Sequence, residues 1–212
     1  MKIVAIMPIK LNNERLPGKN TKDLNGKPLI RYSLDTLCQI DELDDICVYC
    51  SSPAICRYLP PRVEFVKRPE FLDLPSSNFT QIFENFMNER EADIYVYAHA
   101  TAPFVTVETV RSCIDRVRGG EFDSAFTAVK IQDYLWQNGQ PLNFDASNLP
   151  RSQDLAPIYR ETSGVYVFNK DVFIKHHRRI GVRPYVCEVS FKEAIDINTP
   201  EDFGLAEIFA NR

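Results

Sequence analysis

Residues 7–30 read MPIKLNNERLPGKNTKDLNGKPLI, an apolar run giving way to a basic island of Lys10, Arg15, Lys19, Lys22 and Lys27, with Arg31 just beyond. Lys2 to Met7 alternates and concentrates Ile, Val and Ala as a buried strand does, and Pro8 is expected to end ladder pairing there. The basic residues then fall in the loop leaving the strand's carboxyl end, which in open α/β sheets is the ligand-binding edge. Asn12, Asn13 and Gly18 tolerate positive φ and can turn backbone N–H groups inward, while Lys and Arg neutralise a polyphosphate. The ligand this arrangement predicts is a nucleoside triphosphate. Neither the G-x-x-x-x-G-K-[ST] spacing of a Walker loop nor the G-x-G-x-x-G dinucleotide fingerprint occurs.

Outward from this stretch, strands and helices alternate. Leu29 to Ile40 has apolar residues at helical spacing, Asp44 to Cys50 reads as the next strand, Pro53 to Leu59 as a short helix and Val63 to Val66 as a strand. Asn78 to Glu89 is a helix with Phe79, Ile82, Phe83 and Phe86 on one face. Asp93 to Ala98 is a strongly apolar strand, Thr106 to Arg118 a helix closed by Gly119 and Gly120, and Ser124 to Val129 a strand. From Gln132 to Asn148 polar residues, Gly139 and Pro141 crowd around Trp136, which predicts a loop-rich insertion. Ser163 to Phe168, Pro184 to Val189 and Ala194 to Ile197 read as strands and Asp171 to His177 as a helix. Thr199-Pro-Glu-Asp opens a last helix running to about Phe209. This order predicts an α/β fold with a mostly parallel sheet and helices on both faces.

Composition narrows the partners. The 212 residues fit one domain, and 44% hydrophobic content can fill a substantial core. With 25 Lys and Arg against 29 acids, no broad basic face can be assembled, which argues against nucleic acid as a partner. No apolar stretch approaches the ~20 residues of a membrane span, so no membrane partner is expected, and MKIVAIMPIK does not resemble a signal peptide; a cytoplasmic location is expected. The six cysteines sit in apolar runs and read as buried free thiols. Cys47 and Cys50, three apart on a strand, point to opposite faces and cannot chelate one metal.

The spacing of Pro8, Lys10, Asn13, Arg15, Pro17, Gly18 and Lys19, followed by Leu24, Gly26, Pro28 and Leu29, resembles the acylneuraminate cytidylyltransferases, the CMP-sialic acid synthetase family, with CMP-octulosonate synthetases as near relatives. Lys10 stands where the family pattern has Arg, and Asn13 where it has Ser. The resemblance implies a Rossmann-like nucleotidyltransferase sheet within one domain, 1–212, carrying a small dimerisation lobe at about 132–180. It implies transfer of CMP from CTP to a sugar acid, a sialic acid or related nonulosonate, with release of pyrophosphate. Lys10, Arg15 and Lys19 would cradle the phosphates beside Asn12 and Asn13, and no enzyme nucleophile is needed. Other acids, an octulosonate or a phosphonate, are alternative acceptors; a catalytically weak nucleotide-binding homologue is the alternative of a different class.

The remaining candidates lie further along. Asp196 and Asn198, two apart at an expected strand end, face the same way and can share an oxygen-liganded cation, for which magnesium is the natural choice. The family has Asp-x-Asp there, so the resemblance makes Asp196 the main protein ligand; structurally Asn198 is also just the residue before the Thr199 cap. Arg68-Pro69 resembles the family's Arg-Pro beside the nucleoside, and Ser77 follows it as a ligand contact, with Ser77 and Asn78 otherwise candidate caps for the Phe79 helix. His99 and Thr101 end the central strand where the family has Gln-Pro-Thr, and an imidazole near pKa 6.5 would donate to the acid substrate or to phosphate. Arg151, Gln153 and Ser163 resemble the family's segment beside the sugar acid. Arg151 either grips the acceptor's carboxylate or pairs with Asp154 on the surface. His176 to Arg179 reads as a solvated helix end. Tyr134, Trp136 and Phe144 suit a homodimer contact.

Overall fold

The computed structural model describes residues 1–211. Strand β1 (Ile3–Ile9) is buried on both sides. Val4 and Ile6 join an aromatic cluster on one face, while Ile3, Ala5, Met7 and Ile9 join an aliphatic cluster on the other. It pairs in parallel with β4 (Asp45–Cys50) as far as Ile9, but with β6 (Ile94–Ala98) only as far as Ile6. Pro8 therefore does not end the strand: pairing with β4 continues past it after β6 has already turned away.

Seven strands form the main sheet in the order β11-β7-β10-β6-β1-β4-β5, where β5 is Val63–Lys67, β7 Ser124–Ile131, β10 Ile158–Asn169 and β11 Pro184–Glu188. All neighbours run parallel except β10, which is antiparallel to both β6 and β7. Two short hairpins stand apart, β2 (Asp23–Leu24) with β3 (Lys27–Pro28) and β8 (Trp136–Gln137) with β9 (Gln140–Pro141).

Helices α1 (Leu29–Leu37) and α3 (Val107–Arg118) cover the aliphatic face through Ile30, Leu34, Val110 and Ile114. Helices α2 (Phe79–Glu89) and α4 (Lys170–His176) cover the other, where Phe83 meets Tyr95 edge-on at 4.8 Å and Phe173 at 4.7 Å. Asn78 and Gln81 close a capping box on α2, and Thr199 and Asp202 close one on α5 (Pro200–Ala210). Cys47 and Cys50 fall into opposite clusters, and all six cysteines are free.

Two boundaries differ from the sequence expectation. Residues 158–176, expected in the small lobe, are β10, which lies inside the main sheet, and α4, which covers it, and the excursion from the sheet spans only the segment between β7 and β10. The alternation of Val165 and Val167 with Tyr166 and Phe168 buries both faces of β10 and ties it between β6 and β7. Residues 194–197 are not a strand. Glu193 binds Ser190 and also accepts from Thr106 and Thr109, which curls the chain into a turn before Asp196. No helix among the described residues is long and apolar enough to cross a membrane.

Candidate active site

The loop leaving β1 folds back on itself. Gly18, at φ 67°, turns the chain into a 3-10 turn at Lys19–Thr21, and Asn20 Nδ2 donates to the Lys10 carbonyl at 2.9 Å. Lys10, Asn12, Asn13, Arg15 and Lys19 thereby line one open cleft of about 300 Å³, with Pro75 from the loop beyond β5 on its rim. Asn13 Oδ1 is enclosed without a partner. Lys19 is only 7% exposed. Burial pushes its ammonium pKa down, opposed by the nearby Asp196 carboxylate.

This loop meets the Asp196 segment directly. Lys19 Nζ donates to the Ile197 carbonyl at 2.7 Å, and Arg15 Nη2 donates to Asn198 Oδ1 at 2.8 Å. The segment is itself fixed: Ile197 N donates to the Thr101 carbonyl at 2.8 Å, and Asp202 Oδ2 accepts from the amides of Asn198 and Thr199. Asp196 and Asn198 do face each other, but the Asn198 amide turns its nitrogen to Asp196 Oδ2 at 2.7 Å and its oxygen to the two cations. The Asn198 oxygen is thus engaged by Arg15 and Lys19. Asp196 Oδ1 is enclosed and unpartnered, an oxygen suited to a hard divalent ion. Among the described residues no group of three or more His, Cys, Asp and Glu is placed to hold a metal. A magnesium ion would be held here by that one carboxylate oxygen of Asp196 and would supply positive charge against a phosphate chain. A second cleft of about 300 Å³ opens on the far side of this segment, lined by Asp196, Asn198, Arg160, Phe191 and Leu205.

His99 continues the alternation of Tyr95 and Tyr97 beyond the end of β6. Its ring stands edge-on to Tyr97 at 5.2 Å and to Tyr166 at 6.0 Å, and its Nδ1 is enclosed without a partner. Burial, reinforced by the Arg179 guanidinium, lowers its pKa to about 4. The imidazole is thus neutral at pH 7, and the expected titration near pH 6.5 is displaced by its surroundings. Ser163 lies opposite, in a register break of β10 between Glu161 and Tyr166. The break requires Gly164, where a Cβ would meet Thr127 Oγ1 at 2.7 Å.

Arg68 is buried, 2% exposed, and ion-pairs with Asp73, which also accepts from Ser51 Oγ. Its Nε has no partner. Ser77 Oγ donates to the Phe71 carbonyl, and Asn78, not Ser77, caps α2. Arg151 takes the surface alternative: Nε and Nη2 grip Asp154 at 2.7 and 3.0 Å, with the side chain 73% exposed. Neither it nor the exposed Gln153 lines the two clefts described.

Sequence reasoning missed Asp73, Arg160 and Arg179. Arg68-x4-Asp73 across a 3-10 turn is a local pairing that spacing alone can suggest. Arg179 left no such signal, because its partners come from β10 and α2.

A family model described as cytidylyltransferase matches residues 4–210. The chain is 21% identical, over 96% of its length, to an N-acylneuraminate cytidylyltransferase of Streptococcus agalactiae, and spans about half (52%) of that relative. It is 25% identical to the pseudaminic acid cytidylyltransferase of Campylobacter jejuni, covering 98% of this chain and 96% of the relative. Among solved structures it resembles a CMP:2-keto-3-deoxy-manno-octonic acid synthetase complexed with CTP, with a TM-score of 0.73 and 17% identity over 100% of this chain and 99% of that one. The match supports a nucleotidyltransferase fold.

Proposed function

Because the chain belongs to the cytidylyltransferase family, we propose that it transfers the cytidylyl group of CTP to a sugar acid of the nonulosonate or octulosonate class, releasing pyrophosphate. The observation that carries this reading is that Lys10, Arg15 and Lys19 line one cleft and that Arg15 and Lys19 bond to the Asn198 side chain and the Ile197 carbonyl, in the segment where Asp196 lines the neighbouring cleft. Cations crowded on one side of an enclosed carboxylate suit a triphosphate that brings its own metal.

The acceptor's hydroxyl attacks the α-phosphorus in line, the bond to the bridging oxygen breaks, and pyrophosphate leaves. Lys10, Arg15 and Lys19 hold the phosphates and offset charge as pyrophosphate departs. Arg15 and Lys19 exchange their contacts with Asn198 for phosphate oxygens. Asp196 is the protein ligand for magnesium, which when bound neutralises phosphate charge. His99, neutral, hydrogen-bonds the acceptor, with Thr101 and Ser163 beside it. Arg68 and Ser77 border the nucleoside. A cytoplasmic homodimer completes the reading, with the exposed Trp136 and Leu142 of the β8–β9 lobe as its contact surface.

The test is pyrophosphate release from CTP and magnesium with N-acetylneuraminate, pseudaminate, diacetyllegionaminate and 3-deoxy-manno-octulosonate, with the CMP product identified by mass. Release with one acid and not with the others assigns the acceptor. CTP binding without release from any acid replaces the reading with that of a nucleotide-binding homologue. In Lys19→Ala and Arg15→Ala, CTP affinity should fall by about 1.5–3 kcal/mol each, measured by calorimetry.

A further inference from the structure

Arg179 sits just beyond α4, yet it folds back over the aromatic face of the sheet. Its guanidinium carbon lies 3.6 Å from the Tyr166 ring centroid and 5.5 Å from that of Phe79. Nη2 donates to Tyr166 Oη at 2.9 Å and approaches Glu161 Oε1 at 3.4 Å. Among the described residues, Nε and Nη1 have no hydrogen-bond partner. A guanidinium fixed on one edge by a tyrosine and left open on another is a prepared recognition group, because its orientation costs nothing further when an anion arrives. The side chain is 27% exposed, so water reaches it but does not surround it.

The position is next to the candidate active site. Tyr166 packs edge-on against His99, and both respond to the Asp196 carboxylate. His99 is neutral and cannot meet an acid's charge. Arg151, the cation expected to do so, grips Asp154 through two nitrogens and is 73% exposed, whereas Arg179 meets Glu161 through one nitrogen alone. Glu161 beside Arg179 offsets its charge, and the cations suited to a triphosphate lie in the cleft of the β1 loop, which leaves the free edge of Arg179 to a singly charged group.

We propose that Arg179 holds the carboxylate of the acceptor acid and so sets which acceptors this enzyme takes. This rests on the cytidylyl-transfer reading and names the residue that reads its second substrate. Charge and planarity both matter, so lysine should replace it only in part.

The experiment measures steady-state kinetics of the full chain, wild type, Arg179→Lys and Arg179→Gln, with the most active acid of the four-acid panel and with the primary amide of that acid's carboxyl. Acceptor KM should rise by roughly tenfold to a hundredfold in Arg179→Gln and less in Arg179→Lys, with KM for CTP within about twofold. With the amide, wild type and variants should be alike. A melting curve reports folding separately, and Arg179→Lys keeps the cation over Tyr166 should the glutamine variant be unstable. An unchanged acceptor KM in both variants, or a rise equal for acid and amide, overturns the proposal and leaves cytidylyl transfer standing. A wild type that releases pyrophosphate with none of the acids overturns the parent reading and this one with it.

Discussion

Arg15 Nη2 lies 2.8 Å from Asn198 Oδ1, joining the loop after the first strand to the segment before the last helix across 183 residues of sequence. With Lys19 bonded to the neighbouring Ile197 carbonyl, the two halves of the candidate site close on each other by polar contacts a phosphate chain can replace. The free site is thus held in shape by groups that substrate would engage.

The Asn198 amide places the site one carboxylate short. Asn198→Asp puts a second carboxylate beside Asp196 and within reach of Arg15 and Lys19, and the concentration of magnesium giving half-maximal rate is expected to fall. Asp196→Ala is expected to abolish magnesium-dependent turnover. Rate against magnesium concentration checks both, and an unchanged curve in the two variants removes the pair from the site.

His99 ties stability to pH. Its folded pKa, about 4, lies below the ordinary 6.5, so between these values the unfolded chain binds a proton that the folded chain does not. Stability is therefore complete above about pH 6.5 and is lost as pH falls toward 4, by up to about 3 kcal/mol for this group alone. The melting temperature of His99→Gln is expected to fall less than that of wild type between pH 7 and pH 5. Parallel curves would place the imidazole in contact with water.

Arg68 and Asp73 form the most buried ion pair described, with side chains 3% and 22% exposed. Asp73→Asn leaves the guanidinium enclosed beside its already unpaired Nε, and unfolding by urea is expected to show a loss of roughly 3 kcal/mol. Substituting the exposed partner of a surface pair, as in Asp154→Asn, is expected to change stability by less than about 1 kcal/mol.

Much of this protein was legible without coordinates. Runs such as Ile3–Met7, Asp45–Cys50 and Ile94–Ala98 can be little else than strands buried on both faces, and the phenylalanines of Phe79–Glu89 mark a single helical face. Local chemistry also placed Gly18, the Thr199 cap and the cationic loop, because backbone sterics and capping act within a few residues. What the tertiary structure decided depends on groups far apart in the chain. The neutrality of His99 comes from burial against β10 and from Arg179, neither encoded near residue 99. The amide of Asn198 was turned by Arg15 and Lys19, Arg151 was claimed by Asp154, and Arg179 left the helix end to lie on Tyr166. Periodicity reports which face of an element is buried; the partner a polar group finds there is set by the packing of distant segments, and that packing is what assigns each cation its work.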